Sequence, residues 1–317
     1  MTRISVILLL LVVAACGGTE GDPVSAMVTS TGATSSSSVI AEFPVTVSAA
    51  NGEVTVEQAP RRIVSLAPTA TEVLFAIGAG DQVAAVDEFS TYPAEAPITD
   101  LSGFEPNVEA VAAYEPDLVV VSDDLNDVVS GLQTVDIPVV HLPAATDLDD
   151  AYSQIEVLGA ITGNLGNAAD LVSSMQTDIE VLAGSVSDPL EPLTYYHELD
   201  SSLFTVTSAT FIGQIYQLAG LENIADQARG AETGYPQISA EYIVQADPDL
   251  IFLADTKCCG ESAETIAARP GWDQLTAVAA ERVIELDDDI ASRWGPRVVD
   301  LLETIVEAVE QVEAEGP

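Results

Sequence analysis

The sequence predicts an α/β protein with two similar Rossmann-like lobes, each built on a parallel sheet, and a ligand cleft between the lobes. A tandem repeat is the first reason: residues 107–124 (NVEAVAAYEPDLVVVSDD) match residues 239–256 (SAEYIVQADPDLIFLADT), and Pro248 lies 132 residues after Pro116. The second reason is that apolar strand segments alternate with helical segments, as in a parallel sheet covered on both faces. The third is a long helical segment between the two copies, which would join the lobes as one rigid helix.

The N-terminus has the layout of a secretory signal peptide. Arg3 precedes an apolar run of about ten residues, too short to span a bilayer about 30 Å thick as a helix. Small residues then lead to Cys16, which completes the usual order of a signal peptide. This stretch resembles the bacterial lipobox, and that resemblance implies cleavage before Cys16 and lipidation of its thiol. An ordinary signal peptide with an incidental Cys is the alternative.

Composition and pattern divide the chain into five predicted segments. Residues 1–15 are the predicted lipoprotein signal peptide, and residues 16–42 are the lipidated Cys and a Ser/Thr/Gly-rich linker that buries too little apolar surface to fold. We expect an N-terminal α/β lobe over residues 43–146, an interlobe helical segment over 147–190 and a C-terminal α/β lobe with a closing helix over 191–317.

The charge balance excludes one class of partner. The chain has 51 acidic and 9 basic residues, which gives a formal net charge of −42. Such a surface repels nucleic acid and has no basic face to bind it. We interpret the acidity as a strongly solvated surface and not as a binding site.

In the first lobe, apolar runs predict strands and the segments after them predict helices. Pro68 opens a helix that Gly78 ends, and Asn107 caps a second helix. Strands are predicted at residues 62–67, 83–86, 117–121 and 139–142, after short strands near 45–47 and 54–58.

The second lobe repeats this order. Ser208 is predicted to open a helix through Leu218, which Gly220 ends. Strands are predicted at residues 193–198, 250–253 and 282–286, and helices at 240–245 and from about 295 to 312.

The interlobe segment has the helical period, since its apolar residues step by three and four from Leu148 to Leu182. Gly163 predicts an interruption, because a Gly weakens a helix interior by about 1 kcal/mol. The helix after it, about residues 167–181, would be a strut on the order of 22 Å long. We therefore expect a cleft that opens only a little when empty.

These elements together resemble the class III periplasmic binding proteins, the substrate receptors of ABC importers for cobalamin, haem and iron–siderophore complexes. The resemblance implies an extracytoplasmic protein, lipid-anchored to the cell membrane, that delivers a small molecule to a permease. It rests on the two repeats and on residues 62–72 (RIVSLAPTATE), 219–225 (AGLENIA) and 294–297 (WGPR).

One Glu per lobe is the most transferable feature of the resemblance. In the family, an exposed Glu of each lobe docks on Arg residues of the permease dimer, and the matching positions are Glu109 and Glu241. A simpler interpretation stays open for each Glu alone. Asn107 and Ser239 are predicted N-caps, and a Glu in the first helical turn interacts favourably with the helix dipole.

The resemblance to the cobalamin-binding branch implies a ligand site of aromatic rings with an Asp and an Arg. Flat rings bury a large, partly apolar ligand, and the Asp and Arg orient its amide edges. The departure from that branch is that Phe89, Phe104 and Tyr235 replace the expected cleft tryptophans. For each aromatic residue alone, packing in the core is an equally good interpretation. The residues that match are Phe89, Tyr92, Phe104, Tyr235, Asp289, Arg293 and Trp294.

Two histidines and a few bases leave haem or a ferric siderophore as the alternative ligand. His197 ends a predicted strand, where it could reach a metal in the cleft or simply pack, and His141 is expected to be structural. Anionic ligands need basic side chains, and we expect only Arg293, Arg297 and Lys257 near the cleft. No bare-metal site and no resident cofactor are predicted.

Cys258 and Cys259 are adjacent, and outside the cytoplasm we favour a vicinal disulfide over two free thiols. The sequence has no P-loop, GxSxG or HExxH motif, so an enzyme is not predicted. A signalling receptor that docks on a sensor remains the alternative from another class.

Overall fold

The computed structural model describes residues 42–186 and 192–315. The predicted signal peptide, Cys16 and the linker up to residue 41 lie outside the described residues. Within the described residues, no helix combines the length and the hydropathy that a membrane span requires.

Lobe 1 contains an antiparallel hairpin and a four-stranded parallel sheet. The hairpin pairs β1 (Val45–Ala49) with β2 (Gly52–Val56). The sheet strands are β3 (Ile63–Leu66), β4 (Val83–Val86), β5 (Leu118–Val121) and β6 (Val139–His141), and the helices are α1 (Pro68–Ala76), α2 (Val108–Ala112) and α3 (Val128–Thr134). All neighbours pair in parallel, in the order β4-β3-β5-β6.

Two helices connect the lobes: α4 (Leu148–Thr162) and α5 (Leu165–Ser185). Gly163 ends α4 in the left-handed conformation, with φ 81°, which a side chain would strain. The interruption is therefore where the sequence predicted it. The second helix is longer than predicted, with 21 residues and a length of roughly 30 Å.

Lobe 2 repeats the parallel sheet of lobe 1. Its strands are β7 (Thr194–Glu198), β8 (Glu222–Asn223), β9 (Leu250–Leu253) and β10 (Val283–Glu285), in the order β10-β9-β7-β8. Its helices are α6 (Phe211–Leu218), α7 (Ala240–Ala246), α8 (Thr256–Cys259), α9 (Ala263–Ala267), α10 (Thr276–Ala279), α11 (Asp288–Ala291) and α12 (Val298–Glu315). The predicted α/β fold class with two parallel-sheet lobes is confirmed.

Burial explains why the central strands read as unbroken apolar runs. Every residue of β3, β5 and β9 is buried, because helices cover both faces of each sheet. The largest apolar cluster is continuous between the lobes. It contains Leu74 of α1, Ile155 of α4, Met175 of α5, Phe252 of β9 and Ile305 of α12.

Two helix starts were predicted wrongly. The helix expected from Ser208 begins at Phe211, because the Thr210 hydroxyl accepts a hydrogen bond from the Gly213 N–H at 3.0 Å and caps it there. The last helix begins at Val298 and not near 295, because the segment before it packs against α1.

Candidate functional site

A cavity of about 390 Å³ lies between the lobes. Its lobe 1 wall follows the carboxyl ends of β3, β4 and β5, the edge at which open α/β sheets bind ligands. The residues that line it are Leu66, Pro68, Thr69, Asp87, Phe89, Gly103, Phe104, Ser122 and Asp123 from lobe 1 and Asp289, Ser292, Arg293 and Trp294 from lobe 2.

Two of the predicted aromatic residues meet in this cavity. Phe89 and Phe104 pack edge to face, with ring centroids 5.2 Å apart and planes at 78°. Their exposed fractions of 47% and 65% are high for such large apolar side chains. The pair therefore gives one wall an apolar surface that a flat ligand can cover.

The predicted Asp and Arg also meet there, from lobe 2. Arg293 Nη2 donates to Asp289 Oδ1 at 2.6 Å and to the Phe89 carbonyl oxygen, in lobe 1, at 2.9 Å. The Arg293 side chain is only 9% exposed. Its guanidinium is thus held in one orientation by contacts to both lobes.

Glu72 is a functional candidate that sequence reasoning missed. Its carboxylate, at the middle of α1, accepts from Arg293 Nη1 at 2.7 Å and from Arg297 Nη2 at 2.6 Å. A buried Glu is rare unless it is paired, so its position in the apolar first helix was the available signal. The partners were not predictable, because they lie more than 200 residues away along the chain.

Trp294 lines the cavity and also fixes the last lobe to the interlobe helices. Its indole Nε1 donates to Gln154 Oε1 of α4 at 3.0 Å. Together with Leu142 and Leu158, Trp294 also lines a small void of about 10 Å³. The predicted ligand residue therefore has a second, structural contact.

Tyr92 lies in a different place from the other predicted aromatics. It lines a neighbouring cavity of about 510 Å³, and the guanidinium of Arg297 lies 4.2 Å from its ring centroid. Glu72 lines the same cavity. The structure therefore does not bring Tyr92 together with Phe89 and Phe104.

Tyr235 is half-exposed, and the described residues that line the interlobe cavity do not include it. Its place in the ligand site stays a prediction.

His197 is in the core of lobe 2 and not in the cleft. The residue has no exposed surface, and its Nδ1 lies 2.8 Å from the Tyr216 hydroxyl. Burial lowers the pKa of His197 to about 3, so the ring is neutral at physiological pH. Of the two positions considered for His197, the structure shows the packed one, because the buried ring lies against Tyr216 and does not reach the cleft.

Asp87 is a further cavity residue that the sequence did not single out. It is 2% exposed and accepts from Ser90 Oγ at 2.7 Å and from the Phe89 N–H at 2.8 Å. Burial raises the pKa of Asp87 above its usual value. These bonds fix the loop that presents Phe89 to the cavity.

Glu109 and Glu241 occupy the same position in the two lobes. Each is exposed in the first turn of its helix, α2 or α7, and Asn107 and Ser239 cap these helices. The Asn107 side chain accepts from the Ala110 N–H at 2.9 Å and that of Ser239 from the Tyr242 N–H at 3.2 Å. Both predicted N-caps are present.

A disulfide joins the exposed Cys258 and Cys259 in the short helix α8. The Asp288 carboxylate accepts from the Cys258 N–H at 2.8 Å, and Lys257 Nζ lies 3.3 Å from Asp289 Oδ2. The disulfide turn is therefore attached to the segment that carries the cavity carboxylate. In residues 42–186 and 192–315, no group of three or more His, Cys, Asp or Glu side chains is arranged to hold a metal ion.

Comparison with known proteins agrees with this architecture. The family described as periplasmic binding protein matches residues 63–290. An ABC transporter substrate-binding lipoprotein of Bacillus subtilis is 31% identical over 277 residues, 84% of this chain and 86% of the relative. A cobalamin-binding protein of Halobacterium salinarum is 32% identical over 268 residues, 81% of this chain and 72% of the relative.

A solved structure has a similar fold. The periplasmic vitamin B12-binding protein of Vibrio cholerae superposes with a TM-score of 0.65 at 25% identity. The match covers 80% of this chain and 98% of that protein.

Proposed function

This chain belongs to the periplasmic binding protein family, and from that premise we propose that it captures a cobalamin-like corrinoid in the interlobe cavity and delivers it to an ABC importer. Members of the family are transport components, not enzymes. The chain is accordingly a substrate-binding component for a ligand of the cobalamin, haem and siderophore range.

One observation carries the choice of a corrinoid. The cavity combines the apolar pair Phe89 and Phe104 from lobe 1 with the ion pair of Asp289 and Arg293 from lobe 2. A corrin ring offers a flat apolar face to the first pair and neutral amide groups at its edge to the second. Each amide can donate to a carboxylate oxygen and accept from a guanidinium N–H.

Delivery is proposed to use one carboxylate of each lobe. Glu109 and Glu241 are exposed at equivalent helix starts, so two Arg-bearing loops of a permease dimer could be bound at once. We further propose that Cys16 carries the lipid that keeps the protein at the outer face of the cell membrane. The lipoprotein of Bacillus subtilis supports this anchor by its similarity.

The mechanism requires only differential binding. The cleft closes modestly on the ligand, the two Glu side chains dock on the permease, and ATP hydrolysis by other subunits opens the lobes. No bond of the ligand is made or broken by this chain.

The test is isothermal titration of the purified full-length protein with cyanocobalamin, hemin and a ferric siderophore in parallel. We expect one-to-one binding of cyanocobalamin, weakened about tenfold or more in Asp289→Ala and in Arg293→Ala, because each removes a charge-assisted hydrogen bond. Arg229→Ala, which changes an exposed arginine outside the cavity lining, serves as the control. Saturable hemin or siderophore binding without cobalamin binding would overturn the choice of ligand.

A further inference from the structure

The interlobe contact at Glu72 is a cluster of one carboxylate with two guanidinium groups. Glu72 Oε1 accepts from Arg293 Nη1 and Arg297 Nη2, and Glu72 Oε2 accepts from Arg297 Nε at 2.9 Å. The side chains of Glu72, Arg293 and Arg297 are 2%, 9% and 14% exposed. Both carboxylate oxygens therefore make charge-assisted hydrogen bonds away from water.

We propose that Glu72 acts as a built-in anion that fills the site between Arg293 and Arg297, and that it thereby restricts the cavity to ligands without negative charge at the edge facing Arg293. The ligand part of this proposal rests on the proposed function. Glu72 would be a positioning and specificity-determining residue, since the described residues that line the interlobe cavity do not include it.

The carboxylate comes from lobe 1 and both guanidinium groups come from lobe 2, so the cluster connects the two lobes at the cleft. Glu72 belongs to α1 of lobe 1, and the two arginines lie in the segment between α11 and α12 of lobe 2. At Gly295, between them, an added Cβ would lie 3.4 Å from Thr69 Cγ2 and 3.7 Å from Glu72 Oε2. The segment thus runs in direct contact with α1, and the carboxylate is enclosed.

The charges around the cavity disfavour an anion. In the described part of the chain, the charged side chains that line it are Asp87, Asp123, Asp289 and Arg293. Glu72 and Asp289 both pair with Arg293, so its positive charge is already compensated. A carboxylate brought to this edge would face excess negative charge at reduced dielectric, whereas a neutral amide would not.

Removing Glu72 should make the surroundings of Arg293 and Arg297 favourable for an anion. Two guanidinium groups would remain close together with little exposure, and breaking such a buried pair leaves charge that is strongly unfavourable without a counter-ion. An external anion of suitable size should then enter the vacated space. This gives a test that needs no transported ligand.

The first experiment is chemical rescue of Glu72→Ala, followed by thermal unfolding of the full-length protein. We expect a lowered Tm that acetate raises by on the order of 2–4 °C more than it raises the Tm of wild type, at constant ionic strength. Acetamide, which has the shape of acetate without its charge, should give no such difference. Glu95→Ala is the matched control, because it removes an exposed carboxylate from the same neighbouring cavity. Equal acetate effects in Glu72→Ala and Glu95→Ala would overturn the proposal.

The second experiment measures ligand choice with Glu72→Gln, which keeps the side-chain shape and removes the charge. We expect hemin affinity to rise about tenfold over wild type, with cyanocobalamin affinity changed less, because one charge-assisted contact becomes available to a propionate. Acetate rescue of Glu72→Ala without a hemin gain in Glu72→Gln would overturn the specificity role.

Arg297→Gln keeps the proposal testable if the Glu72 variants do not fold. This change leaves Glu72 with Arg293 alone and makes the cluster more negative. We expect hemin affinity at or below that of wild type and no added stabilisation by acetate, so a gain of either would overturn the proposal. Failure of wild type to bind cyanocobalamin would overturn the proposed function only, since the acetate comparison stands apart from it.

Discussion

At the scale of single residues, the equivalent aspartates of the two repeats lie in different environments. Asp123 follows β5 and lines the interlobe cavity, and Asp255 lies 132 residues later, after β9, with no exposed surface. Burial raises the pKa of Asp255 to about 7, and the nearby carboxylates of Glu198 and Glu261 act in the same direction. The positive charge of Arg269 opposes this shift only in part. A proton on Asp255 is therefore part of the folded state at mildly acidic pH.

The pH dependence of stability should reveal that proton. Folded Asp255 keeps a proton that the unfolded chain releases near pH 4, so its contribution to the free energy of unfolding is lost as pH rises to about 7. We expect Asp255→Asn to be more stable than wild type at pH 8, by on the order of 1–3 kcal/mol, and not at pH 4. Urea unfolding at both pH values, with the exposed Asp273→Asn as control, measures this.

His197 acts with the opposite sign. Its pKa of about 3 means that the unfolded chain binds a proton below about pH 6.5 while the folded protein does not. The stability from this residue is present above pH 6.5 and is lost as pH falls towards 3.

An Asp255→Asn variant that follows the wild-type curve at every pH would show that Asp255 is not protonated in the fold.

At the scale of elements, the turn between α4 and α5 depends on one glycine. Gly163 has φ 81°, and a Cβ added there would contact Phe43 at 3.5 Å, an ordinary distance. A side chain at this position would thus strain the backbone conformation but would not clash with neighbouring atoms. Because this turn sets the direction of α5, it also sets the relation of the two lobes.

A pair of Gly→Ala changes can separate the backbone effect from simple helix propensity. Gly163→Ala should lower the free energy of unfolding by about 1 kcal/mol or more, because Ala disfavours positive φ. Gly184→Ala, in the last turn of α5 and with open space around the new Cβ, should raise it by a smaller amount, up to about 1 kcal/mol. Denaturant unfolding of both variants checks the prediction, and equal changes of one sign would contradict it.

The sequence predicted elements whose signals are local and missed contacts that are not. Asn107 and Ser239 cap their helices as expected, since a cap depends on residues three positions away. The interruption at Gly163 was also local. Glu72 was missed because its arginines are distant in sequence, and the orientation of Tyr92 was missed because Arg297 attracts its ring into a second cavity. The start of α6 moved by three residues since Thr210 competes with Ser208 as its cap.

At the scale of the whole molecule, the largest apolar cluster runs through both lobes, and the walls of the interlobe cavity come from both. Leu74 of lobe 1 and Phe252 of lobe 2 belong to the same buried cluster, which α5 and α12 complete. Together with the Glu72 cluster, this core should limit relative motion of the lobes. Ligand capture and permease docking are thus proposed to use two separate surfaces of one stiff body.

Those two surfaces should be separable by mutation. In Glu109→Ala/Glu241→Ala, ligand affinity should stay within about twofold of wild type while uptake into cells is lost, because only docking uses these carboxylates. Glu57→Ala/Glu264→Ala, which removes two exposed carboxylates elsewhere, is the matched control for the charge change. Uptake that persists in the first variant would favour a receptor that signals without this docking pair.

The length of α5, the longer of the two connecting helices, also affects how copies of the protein compete for the transporter. Since a helix of 21 residues bends little, the spacing of Glu109 and Glu241 should be nearly the same in empty and loaded protein. A permease that recognises this spacing would be occupied by vacant copies almost as readily as by full ones. Overproducing the protein when the ligand is limiting should therefore slow import, because empty and loaded molecules compete for the same docking site on the permease.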